Sequence, residues 1–312
     1  METLLGHHKT LQAIDKLEHL IGNTPVVELS QINPNRNVRI IAKIEWQQFG
    51  GNVKSRAAFN IIKQAILEGK LKKGQHLLDA TSGNTGISYA AIGSRLDIPV
   101  TICIPENASV ERKQILRILG AEIIFTPPFE STDGAQEVAK ELITRNPEKY
   151  FLADQYNSKN NWLAHYNGTG EEIIQQTNGK ITHFVAGLGT TGTFTGTGRK
   201  LKLFNKNIEL IALQPNSPMH GLEGWKHLDT AVVPGFFDSG LPDAYLPIDT
   251  SEAYQWIRKI ARLEGLLVSP SAAANVLGAI KTAEQMESGT IVTMLADNAD
   301  KYSEITSKII TS

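Results

Sequence analysis

Apolar runs of strand length alternate with helix-period segments along most of the chain. "VRIIAKIE" reads as a strand and "VKSRAAFNIIKQAILEG" as a helix stopped by Gly69. "HLLDA" then precedes the helix "NTGISYAAIGSRL", "VTICIP" precedes "SVERKQILRILG", and "AEIIFT" precedes "GAQEVAKELITR". "YFLAD" leads to a helix over "NWLAHYNGTGEEIIQQ", and "THFVAGLG" leads to a helix from Thr191 and then the strand "IELIALQ". Near the end "SEAYQWIRKIARLEG" is helical and "GTIVTMLA" is a strand. Near-continuous apolar strands separated by helices imply parallel sheets covered on both faces, an α/β fold. The expectation is two doubly wound, mostly parallel three-layer domains with a cleft between them. Residues 216–250, rich in Pro and Gly, are the least regular stretch, and a long irregular loop in a compact chain is often functional.

Composition narrows the function classes. The 312 residues hold 31 basic and 32 acidic side chains, a formal net charge of -1. Such a balance steers the protein to neither nucleic acid nor an anionic membrane. The N-terminal "METLLGHHKTLQAIDKLEHL" lacks the basic and apolar regions of a signal peptide, and no segment has the ~18 apolar residues needed to span a bilayer. Cys103, the one cysteine, sits in a buried-strand pattern and forms no intrachain disulfide. A reducing, cytoplasmic location is expected.

Two strand-to-helix turns suit anions. "GLGTTGT", Gly187 to Thr193, fits G-x-G-x-x-G, and amides at a helix start cradle negative charge. A dinucleotide site also wants an acid about 20 residues on, at the end of the next strand. That strand ends in Gln214 and Pro215, and no lysine follows the glycines as in a nucleotide-binding P-loop. The threonines favour a compact cup for one phosphate. "TSGNTG", Thr81 to Gly86, is a second turn suited to a carboxylate or phosphate. A lysine opens the helix of "GGNVKSR". A phosphate cup, a carboxylate cup and an amine are what pyridoxal phosphate chemistry on an amino acid requires.

These motifs resemble those of the cysteine synthase and cystathionine β-synthase family, with the tryptophan-synthase-β fold, type II among pyridoxal-phosphate enzymes. The resemblance runs from "LIGNTPVVEL" through "NVKSRAAF", "ATSGNTGIS", "PENASVERKQILRILGAEIIFT", "AGLGTTGTFTGTGR" and "EGLLVSPSAAA" to "DNADKY". It implies a larger cofactor-binding domain over 13–50 and 158–312, and a smaller mobile domain over 51–157 that carries the substrate-carboxylate loop. The cofactor would lie in the cleft. Lys54 matches the family's Schiff-base lysine, and Asn84 the asparagine bonded to the cofactor's phenolic oxygen. Thr81, Ser82, Gly83 and Thr85 match the carboxylate loop, and Gln155 a glutamine of the substrate pocket. Gly189, Thr190, Thr191, Gly192 and Thr193 match the phosphate cup. Ser269 matches the serine that faces the pyridine nitrogen.

The implied activity is β-replacement by a homodimer, forming L-cysteine from O-acetylserine or O-phosphoserine and sulfide. The branch resembled is the cysteine-synthase-B-like one that uses O-phosphoserine, where an arginine pairs with the substrate phosphate. Lys226 falls near that arginine's place, with a solvated loop lysine as the alternative. Condensation of serine with homocysteine, or a catalytically weak regulatory paralogue, are the competing readings. The chain departs from the family at Phe49 for proline, Asn52 for serine, Pro270 in the late motif and Ala299 for glycine. His165, His183, His220 and His227 show no metal-ligand spacing, and no metal is expected.

Overall fold

The computed structural model describes residues 2–311. The first elements in chain order are α1 (Glu2–Glu18), β1 (Val26–Glu28), β2 (Val38–Ile44), α2 (Lys54–Leu67), β3 (His76–Ala80), α3 (Asn84–Leu96), β4 (Val100–Pro105), α4 (Val110–Ile118), β5 (Glu122–Thr126), α5 (Ser131–Arg145), β6 (Tyr150–Leu152) and α6 (Lys159–Ala164). There follow α7 (Gly170–Gln176), β7 (His183–Gly187), α8 (Gly192–Phe204), β8 (Glu209–Pro215), β9 (Ala244–Ile248), α9 (Thr250–Glu264), α10 (Pro270–Ala283), β10 (Gly289–Leu295) and α11 (Ser303–Thr311). The chain forms two compact units, Met1–Gly22 with Gln48–Asn161, and Asn23–Gln47 with Trp162–Ser312.

The first unit is built on a four-stranded parallel sheet in the order β5-β4-β3-β6. Alternation along β3 sends Leu77 to one face and Leu78 to the other. Leu77 joins a core with Phe59, Ile62, Ile87 and Tyr89 from α2 and α3. Leu78 packs with Cys103, Ala135 and Ala139, the last two from α5. Both faces are covered, which explains why β4 is buried at every residue. Burial pushes the Cys103 thiol up to about 12, so it is inert packing.

The second unit carries a six-stranded sheet in the order β1-β2-β10-β7-β8-β9. Only β1, against β2, is antiparallel. The alanine-rich α10 lies within the core, where Ala272, Ala273, Val276 and Leu277 pack with Ile40, Val185 and Leu213. Buried Lys43 of β2 is held by Glu172 of α7 at 2.6 Å and by Thr24 O at 2.9 Å, which anchors the "GNTP" turn to the sheet.

The α/β expectation holds, and the strands and helices named from the pattern form at their places. Two details differ. The helix over "NWLAHYNGTGEEIIQQ" is interrupted by a π turn at His165–Thr169. The irregular stretch 216–250 contains the edge strand β9. The pattern also does not mark α1, β1, α10 or α11.

Candidate active site

In the first unit, Gly50 and Gly51 take left-handed φ of 85° and 66°, and α2 then opens at Lys54. The Lys54 N–H donates to Asn52 Oδ1 at 2.9 Å. Asn52, the departure from the family's serine, therefore caps the lysine's backbone. Ser88 Oγ of α3 lies 3.2 Å from the same Asn52 oxygen and 3.0 Å from Asn84 O. One buried amide thus ties the start of α2, with Lys54, to the start of α3, with Asn84.

The turn from β3 to α3 is Thr81–Gly86. Gly83 has φ 151°, and a Cβ there would collide with Arg112 Cδ, so the position accepts only glycine. Its N–H donates to Thr81 Oγ1 at 3.0 Å. No acidic side chain occupies the first turn of α3, whose amides have no carbonyl of the helix behind them. Gln155 is 2% exposed and holds the turn from the side. Its Nε2 donates to Ala80 O at 2.7 Å, and its Oε1 accepts from Thr85 Oγ1 at 2.7 Å. Arg112 of α4 is also buried here, with Nη1 3.4 Å from Ser82 O. Sequence reasoning missed it, because an arginine in a helix-period stretch such as "SVERKQILRILG" is ordinarily solvent-exposed.

In the second unit, β7 runs into the glycine–threonine turn that starts α8. Gly189 lies under the backbone of Gly224, whose carbonyl oxygen would collide with a Cβ. Thr191 caps α8 with φ 64°, a left-handed conformation rare for a β-branched residue. Thr190 and Thr191 are buried, and among the described residues Thr191 Oγ1 has no hydrogen-bond partner. First-turn amides, an unpartnered buried hydroxyl and the absence of an acid in the first turn of α8 fit a phosphate. His165, on the π turn, bridges Thr169 Oγ1 at 2.9 Å and Thr193 Oγ1 at 3.3 Å. It too was missed as a support of the cup.

Ser269 is the N-cap of α10. It is fully buried, and its Oγ accepts from Ala272 N–H at 3.2 Å. Its N–H donates to Asp297 O at 3.2 Å, which links it to the "DNADKY" motif. Ser271 Oγ lies 3.3 Å from Ser269 Oγ, so the start of α10 presents two adjoining hydroxyls where one was expected. Lys226 is not a solvated loop lysine: it is 7% exposed, its N–H donates to Leu188 O at 2.8 Å, and its Nζ donates to Val232 O at 3.3 Å. It adjoins the glycine–threonine turn through Leu188.

Each sequence-expected residue therefore stands at a strand-to-helix turn or a helix start of its own unit, save Gln155 and Lys226 in loops. Residues 17–297 match the family described as "Pyridoxal-phosphate dependent enzyme", and the chain belongs to that family. A cysteine synthase of Aquifex aeolicus is 42% identical over 96% of this chain and 94% of its own length. Cysteine synthase B of Escherichia coli is 38% identical over 92% and 93%. Among solved structures, the cysteine synthase of Entamoeba histolytica superposes with a TM-score of 0.85 at 32% identity, covering 95% of both chains. A hydrogen sulfide-producing enzyme of Fusobacterium nucleatum gives 0.87 at 32% identity, covering 92% and 98%.

Proposed function

We propose that the protein is a pyridoxal-phosphate-dependent cysteine synthase that makes L-cysteine from an activated serine and sulfide. The observation that carries this reading is near-full-length similarity to cysteine synthases. When bound, pyridoxal phosphate draws electrons from the substrate's α-carbon, so that the α-proton can leave and the β-substituent be expelled.

The chain's own residues do the rest. Gly189–Thr193 hold the cofactor phosphate, with Thr191 Oγ1 gaining the partner it lacks. Lys54 Nζ is the amine that would hold the cofactor's aldehyde, and once freed it would serve as the base for the substrate's α-proton. Asn84 would bond the phenolic oxygen. The Ser269–Ser271 hydroxyl pair would face the ring nitrogen, and a hydroxyl there leaves that nitrogen neutral where a carboxylate would hold it protonated. Thr81, Ser82, Gly83 and Thr85, on the turn that Gln155 supports, would hold the substrate carboxylate while sulfide adds to the β-carbon.

O-phosphoserine is the proposed activated serine, with Lys226 as the cation for its phosphate. An ammonium serves as a point charge, without an arginine's bidentate fork. Lys226→Ala should raise KM for O-phosphoserine by about tenfold to a hundredfold, the equivalent of roughly 1.5–3 kcal/mol, and leave O-acetylserine nearly unaffected. Equal effects on both substrates would reject Lys226 in this role. The working form is proposed to be a cytoplasmic homodimer on the family resemblance, and a monomer mass by light scattering would reject that assembly. The reaction itself is tested by feeding the purified protein an activated serine with sulfide, and separately serine with homocysteine. L-cysteine from the first mixture is expected; cystathionine from the second and no cysteine from the first would overturn the reading.

A further inference from the structure

Asp79 is a buried carboxyl that the proposed reaction does not use. It lies near the end of β3 and is 2% exposed. Its Oδ1 accepts from Ala80 N–H at 2.8 Å and its Oδ2 from Gln155 N–H at 3.2 Å. Ala80 and Gln155 are joined again by the Gln155 Nε2 bond to Ala80 O, and Gln155 Oε1 takes the Thr85 hydroxyl. One carboxyl therefore lies behind both supports of the Thr81–Gly86 turn.

We propose that Asp79 is a positioning residue that couples the hold of the Thr81–Gly86 turn on a substrate carboxylate to uptake of a proton. The proposal rests on the reading of that turn given above. Burial pushes the Asp79 carboxyl up to about 7, partly offset by the Ala80 N–H, the nearby Tyr89 hydroxyl and the Gln155 N–H. The titratable groups around it are Tyr89 from α3, Cys103 from β4, and Asp154 and Tyr156 from the stretch after β6. Asp133 of α5 acts on Tyr156. Burial raises Tyr89, Tyr156 and Cys103, which leaves them neutral near pH 7. Asp154 is of the same sign as Asp79 and favours its proton.

A carboxylate on the turn adds a second like charge. Thr81 is two peptide units from Asp79, roughly 7 Å along an extended chain. Like charges about 7–10 Å apart in a partly buried site interact by about one pH unit, or about tenfold in binding. Protonated Asp79 keeps a carbonyl oxygen as an acceptor and loses the repulsion. Carboxylate binding therefore draws a proton onto Asp79, and by reciprocity the carboxylate binds more weakly as pH rises through about 7.

The test titrates the holoenzyme with acetate from about pH 6 to about pH 8.5, by calorimetry in two buffers of different ionisation enthalpy. The wild type should lose about tenfold in acetate affinity across that range and take up a proton on binding. Asp79→Asn, a neutral isostere, should bind acetate with the low-pH affinity throughout and take up less. Ser82→Asp places a charge on the turn itself and should abolish acetate binding; acetate binding that survives it shows that the turn is not the carboxylate site. Loss of binding in Ser82→Asp with an unchanged pH dependence in Asp79→Asn leaves the turn in place and overturns the role of Asp79. Carbon-13 NMR of aspartate-labelled wild-type holoenzyme needs no variant. One carboxyl should titrate near neutrality and move upward with acetate, and the lack of any such carboxyl equally overturns the proposal.

Discussion

Thr191 holds two unfavourable features in one residue. Its left-handed backbone costs on the order of 1–3 kcal/mol for a β-branched side chain, and a buried hydroxyl without a partner costs a similar amount. Such strain persists where its surroundings fix it, and in this turn the Gly224 carbonyl closes over Gly189, two residues before Thr191. A bound phosphate would return the hydroxyl's lost bond. Thr191→Gly should therefore stabilise the cofactor-free protein by roughly 1 kcal/mol, since glycine adopts this φ freely, and weaken cofactor binding. Thermal unfolding of the cofactor-free protein and a cofactor titration by absorbance read the two effects. An unchanged cofactor affinity would remove Thr191 from the phosphate cup. The turn between β7 and α8 was readable in the sequence because glycine and threonine recur there at fixed places. Ser271, Arg112 and His165 were not, because nothing local distinguishes a buried support from an ordinary polar residue until packing brings it to the turn.

At the scale of elements, what could be read depended on periodicity. β4 is a nearly continuous apolar run and β3 and β8 have apolar centres bounded by turns, and all three formed as expected. α10 gave no such signal because it is buried nearly all round, so apolar residues occupy every face and the helical period vanishes. Its start was nonetheless marked by Ser269 at the N-cap and Pro270 at the first helical position. The proline that departs from the family motif is thus a helix-start residue. β9 was hidden by Pro247, which a strand tolerates at the edge of a sheet, where β9 lies. The cap also separates the two hydroxyls. Ser269→Ala should cost about 1 kcal/mol of stability through the lost cap. Ser271→Ala removes no cap and should cost less stability than Ser269→Ala, and it should shift the visible absorbance of the bound cofactor. Equal stability losses with no spectral change in either variant would dissociate the pair from the ring nitrogen.

For the whole molecule, each unit has its own sheet and its own core, and each carries part of the proposed chemistry. Lys54, Asn84 and the carboxylate turn belong to the first unit; the phosphate cup, the Ser269–Ser271 pair and Lys226 belong to the second. The alternation of strands and helices made the α/β class readable. It did not supply the strand order, because the place of β10 between β2 and β7 depends on pairing across long sequence separations. The central claim is that this chain works through a pyridoxal phosphate held on Lys54. The most direct test reduces the purified holoenzyme with borohydride and maps its peptides by mass spectrometry. The cofactor's mass should appear on the peptide containing Lys54. Its appearance on another lysine, or on none, would contradict the account.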